Sequence, residues 1–80
     1  MEQFPCAERI WKQRAKEWLN NNLMDSGFVM FQDHKAVGWC RELPQAEEWP
    51  AGTVAADPEY GVWLSIGGTA ESSERWVTVR

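Results

Sequence analysis

The chain contains a single histidine, His34, set between Asp33 and Lys35. An Asp beside a His is the pair from which a general base and its orienting carboxylate are built. That chemistry needs a nucleophile or reacting atom within hydrogen-bond reach, and the sequence places none nearby. There is no Gly-x-Ser-x-Gly elbow, no activated-cysteine signature and no second histidine. At a turn tip, Asp33 and His34 are expected to face solvent. A metal role fails on the same ground, because His34 has no partners at ligand spacing. The expectation is a non-enzymatic chain without a cofactor.

Other candidates have plainer readings. Gly67 and Gly68 in "IGGT" follow a strand pattern, as a phosphate-cradling loop would, but the Gly-Lys-Ser/Thr ending and the following helix are missing. They read as a turn that needs positive φ. Cys6 and Cys40 are too few and too far apart for a disulfide framework or a metal pair. They read as small buried hydrophobes, with one disulfide between them the alternative. Glu42, Glu47, Glu48, Asp57 and Glu59 stand against Arg41 alone in residues 41–60, a net of 1 − 5 = −4. A solvated loop face accounts for them; mimicry of nucleic-acid charge and a calcium site are the sharper alternatives. Arg9, Lys12 and Lys16 mark one face of a helix, partly offset by pairs such as Glu8–Lys12. The two charged regions imply a dipolar molecule.

The aromatics carry more information. In "EYGVWLSIGGTAESSERWVTVR", Val62, Leu64 and Ile66 share one side of a strand, and Val77 and Val79 share one side of the next. Trp63 and Trp76 fall on the opposite side, and Trp39 lies between Lys35 and Arg41 on its own strand face. If these faces coincide, one side of the sheet bears three indoles with Lys and Arg beside them. Three uses are open. The loop around Trp49 folds over them as a second small core, they form a protein-binding face in which Trp and Arg are common, or they stack bases.

These side chains need elements to position them. "FPCAERIWKQRAKEWLNNNLMDSG" predicts a helix over about residues 5–21. Pro5 suits the first helical position, and Ala7, Ile10, Trp11, Ala15, Trp18 and Leu19 form one apolar stripe. "GFVMFQDHKAVGWCREL" predicts a hairpin turning at Asp33 and His34, apolar on both faces and therefore central in the sheet or covered on both. An unbroken register puts Phe28, Met30, Val37 and Trp39 on one face. Val29, Phe31, Ala36, Gly38 and Cys40 take the other, where the small Ala36, Gly38 and Cys40 let the helix approach. "PQAEEWPAGTVAADP" reads as a loop anchored by Trp49, and two strands, about Tyr60–Ile66 and Arg75–Arg80, close the chain.

The whole is an α+β class domain, residues 1–80: an N-terminal amphipathic helix packed on a small antiparallel sheet of about four strands. Eighty residues leave little core, and six Trp, three Phe and one Tyr compensate for that. Net charge of −4 weighs against a nonspecific nucleic-acid binder. With no apolar leader and no membrane-length apolar run, a cytoplasmic location is expected. The functional expectation is a small protein-interaction module, binding a partner or itself through Trp39, Trp63, Trp76 and Arg41. A regulator that stacks bases on exposed tryptophans is the alternative.

Overall fold

The structure, a computed structural model, describes residues 7–79. The expectations placed on Pro5, Cys6 and Arg80 lie outside the described residues. Helix α1 (Ala7–Asn21) is followed by strands β1 (Phe28–Gln32), β2 (Lys35–Cys40), β3 (Val54–Asp57), β4 (Gly61–Ile66) and β5 (Arg75–Thr78), with a 3-10 turn at Ala46–Glu48 before β3. The sheet has five strands in the order β2-β1-β3-β4-β5, every pair antiparallel. The α+β class holds, with one strand more than the pattern implies.

The additional strand is β3, which the sequence reads as loop. It is the central strand, and all four of its residues are buried. Val54 is its only β-branched or aromatic residue; Ala55, Ala56 and Asp57 are types depleted in strands. Small side chains are what its position demands, because both of its faces are covered.

Two rows of side chains cross the sheet beneath α1. One runs Trp39–Val29–Ala56–Val62, extended by Val79 through its N–H bond to the Val62 carbonyl. The other runs Ala36–Phe31–Val54–Leu64–Val77. Ala15 and Leu19 of α1 are buried against this layer, with Trp11, Trp18 and Met24 around them. Ile10 departs from the expected stripe and is 44% exposed. At about 100° per residue, it points well away from the arc spanned by Trp11, Ala15, Trp18 and Leu19.

The helix ends by a Schellman arrangement. Leu23 takes φ +58, Met24 N–H donates to the Leu19 carbonyl at 2.9 Å, and Leu23 N–H donates to that of Asn20 at 3.3 Å. The β1–β2 hairpin turns at Asp33 and His34 as expected, with both residues at positive φ (52° and 67°) as a two-residue type I′ turn requires. His34 is exposed, yet its ring stacks parallel on Trp11 at 5.8 Å. Arg14 reaches across, donating from Nη2 to the His34 carbonyl at 2.6 Å while lying over the Trp11 and Phe31 rings. These contacts tie the turn to the helix.

The hairpin register corrects one expectation. Gln32 pairs with Lys35 and Phe31 with Ala36, but Met30 pairs with Gly38, leaving Val37 as an extra, exposed residue at a bulge. Beyond it every side chain of β2 changes face. Trp39 therefore stands opposite Val29 on the helix side, and Gly38 and Cys40 join Met30 and Phe28 on the other.

Among the described residues, no helix is long and apolar enough to cross a membrane.

Candidate functional site

The second face of the sheet is built by alternation. Trp63 pairs across β5 with Thr78, and Ser65 with Trp76, so both indoles lie opposite the aliphatic rows. Their neighbours are Phe28, Met30 and Ala55, and the cluster is completed by Cys40, Leu43 and Trp49. Small residues make room for the large rings. A Cβ on Gly38 would touch the Trp49 ring at 3.5 Å.

The segment between β2 and β3 lies over part of this face and is fixed by hydrogen bonds. Trp76 Nε1–H donates to the Pro44 carbonyl at 2.7 Å, and Ser72 Oγ–H to that of Glu47 at 2.9 Å. Ser73 donates twice, from its hydroxyl to the Ala46 carbonyl and from its N–H to that of Trp49. Pro50 O accepts from the buried Thr53 and Ser65 hydroxyls at 2.7 and 2.8 Å. Each such bond contributes about 1 kcal/mol net, and together they make the loop part of the fold. No buried side-chain nitrogen or oxygen among the described residues lacks a partner. The second small core around Trp49 is therefore present.

Cover is incomplete toward the β3–β4 turn. There the buried Asp57 accepts the N–H groups of Glu59 and Tyr60 at 2.7 and 3.1 Å on one carboxylate oxygen, forming the turn. Tyr60 is 72% exposed. It stacks on Phe28 at 6.5 Å, and Phe28 meets Trp63 edge-on at 5.5 Å. An aromatic ladder thus runs from the second core to solvent. The strand pattern presents Tyr60 only as the start of β4; the preceding Asp57-Pro58 and the following Gly61 are the turn signals that mark it as a tip.

The four expected surface residues separate. Trp63 and Trp76 come together on the second face, both half-buried. Trp39 is half-buried on the helix face, its Nε1–H donating to the Ser26 carbonyl at 3.0 Å, so the three indoles do not share a side. Arg41 is exposed just beyond the end of β2.

The charged residues also differ from the dipolar arrangement. Arg9, Lys12 and Lys16 line the same groove as Asp25, Asp57 and Glu59, a space of about 590 Å³ between α1 and the turns facing it. The Lys12–Glu8 pair is formed at 3.5 Å. Asp57 is buried, whereas Glu42, Glu47, Glu48 and Glu59 are solvent-exposed. Gly67 and Gly68 have φ of +79° and +73° and let the chain leave β4. Burial, and secondarily the Glu48 carboxylate, pushes the free Cys40 thiol above its ordinary range. Among the described residues, no three His, Cys, Asp or Glu side chains are grouped to hold a metal ion.

Family models, curated proteins and solved structures were compared with the chain, and none matches it.

Proposed function

We propose that the chain is a small non-enzymatic interaction module that binds a protein partner, or a second copy of itself, through the open part of its second sheet face. The supporting observation is the ladder Tyr60–Phe28–Trp63, which ends in a largely exposed tyrosine already held by stacking. An aromatic side chain held in place loses little rotamer freedom on association, which is why Tyr and Trp dominate interface energetics. Trp76, half-buried in the covered part of the same face, backs the ladder toward β5. The acidic balance of the chain favours a protein over nucleic acid as the partner.

The test is affinity capture from the native lysate, run in parallel with sedimentation of the purified chain. Parent, Tyr60→Ala and Ile10→Ala are compared, Ile10 lying on the exposed side of α1. A partner or dimer lost with Tyr60→Ala and kept with Ile10→Ala is the expected result. An association that survives Tyr60→Ala and fails with Ile10→Ala moves the surface to the helix and removes this reading.

A further inference from the structure

We propose that the cleft at the end of the sheet, between the first turn of α1 and the Tyr60–Trp63 segment, receives a cationic side chain, the ammonium of a lysine or the guanidinium of an arginine carried by a protein partner. This rests on the interaction reading above and specifies the partner's chemistry. The cleft has a volume of about 390 Å³ and is lined by Glu8 of α1, by Tyr60, Gly61, Trp63 and Thr78, and by Val62 and Val79 of the helix-side row. A carboxylate and an indole meet there. The position a Cβ would take on Gly61 is 3.4 Å from Trp63 Cη2 and 3.8 Å from Glu8 Oε2. Gly61 itself has φ +128°, a conformation that keeps that space free of a side chain.

The chemistry of this lining selects for positive charge. The Glu8 carboxylate supplies direct Coulomb attraction, and a cation that seats over the Tyr60 or Trp63 ring gains from its quadrupole as well. An anion is repelled by Glu8, and a neutral side chain seated there removes water from that carboxylate without replacing its hydrogen bonds. A lysine or arginine satisfies both parts, its apolar stem against the rings and its charged head at Glu8. The rings are held in advance by the Phe28 contacts. Glu8 already accepts an ammonium, since Lys12 Nζ lies 3.5 Å from the same Oε2. Lys12 is thus an internal competitor for the incoming cation. Exposed Glu59, next to Tyr60, adds a second carboxylate at this end.

The experiment is an NMR titration of the full chain with end-blocked Gly-Lys-Gly and Gly-Arg-Gly at low salt. Gly-norleucine-Gly serves as the neutral isostere. The basic peptides are expected to give saturable shifts grouped at Tyr60, Gly61, the Trp63 indole and Thr78, with the norleucine peptide silent. Glu8→Gln and Tyr60→Ala are each expected to weaken binding about threefold to tenfold. Lys12→Gln is expected to strengthen it by freeing Glu8. Equal binding of the norleucine peptide, shifts scattered over the surface, or no change with Glu8→Gln overturns the proposal. If the basic peptides fail to bind while Tyr60→Ala still abolishes partner capture, the cation site is wrong and the interaction face stands. If they bind as described but no association depends on Tyr60, the cation site stands and the interaction reading falls.

Discussion

The Trp39 indole occupies the space where Gly27 has no side chain. A Cβ at position 27 would stand 2.2 Å from Trp39 Nε1, and Gly27 has φ +120°. The same nitrogen donates to the Ser26 carbonyl, so the end of β2 is fastened to the segment leaving α1. Gly27→Ala must displace the ring and strain the backbone. We expect it to cost about 2–4 kcal/mol, the sum of overpacking and a forced positive φ. Urea unfolding checks this, and a loss below about 0.5 kcal/mol, the range of ordinary surface changes, contradicts the packing described.

The second face divides into a covered part and an open part, and the two respond differently to truncation. Trp76 packs in the cluster and donates to the Pro44 carbonyl, so Trp76→Ala is expected to cost about 3 kcal/mol. Tyr60→Ala removes a mostly exposed ring and is expected to change stability by about 0.5 kcal/mol or less. Chemical denaturation of the two variants side by side measures the contrast.

How far this arrangement can be read from the residues varies by element. The helix, the turn at Asp33–His34 and the two C-terminal strands follow from periodicity and turn chemistry, because those signals are local. Alternation alone puts Trp63 and Trp76 on the side opposite the aliphatic residues, where they meet in the second core. Two features escaped. Strand β3 consists of residues that suit its crowded place, Ala55 beneath the second core and Ala56 beneath the helix layer, and such residues carry no strand signal. The bulge at Val37 has no local mark in the sequence, yet it moves Trp39 to the other face. The candidate site was therefore half legible: the pair on β4 and β5 was visible, while Tyr60 and the separation of Trp39 depend on tertiary structure.

Leu23 offers a stabilising change. It occupies the left-handed position of the helix C-terminal motif at φ +58°, and its side chain is 93% exposed. Glycine takes that conformation without the Cβ penalty, and the lost side chain packs against almost nothing. Leu23→Gly is expected to raise stability by about 0.5–1 kcal/mol. A thermal or urea midpoint that falls contradicts the assignment of the motif.

Cys40 carries a pH signature. Its thiol is held above the ordinary 9.0 first by burial and second by Glu48. The folded chain therefore keeps a proton that the unfolded chain releases, and stability declines as pH rises above 9.0 toward the folded value. In a Cys6→Ser background, the alkylation rate of Cys40 is expected to rise with pH with its midpoint above 9.0, and Glu48→Gln is expected to bring that midpoint down. A midpoint below 9.0 contradicts the placement of Cys40 in the second core.

The most direct test of the interaction surface is photo-crosslinking in cells from single benzoylphenylalanine substitutions at Tyr60 and at Ile10, large exposed side chains carried by the β3–β4 turn and by α1. The account predicts a discrete crosslinked protein, or a crosslinked dimer, from position 60 and none from position 10. A crosslink at position 10 with none at position 60 would place the working surface on the helix and contradict it.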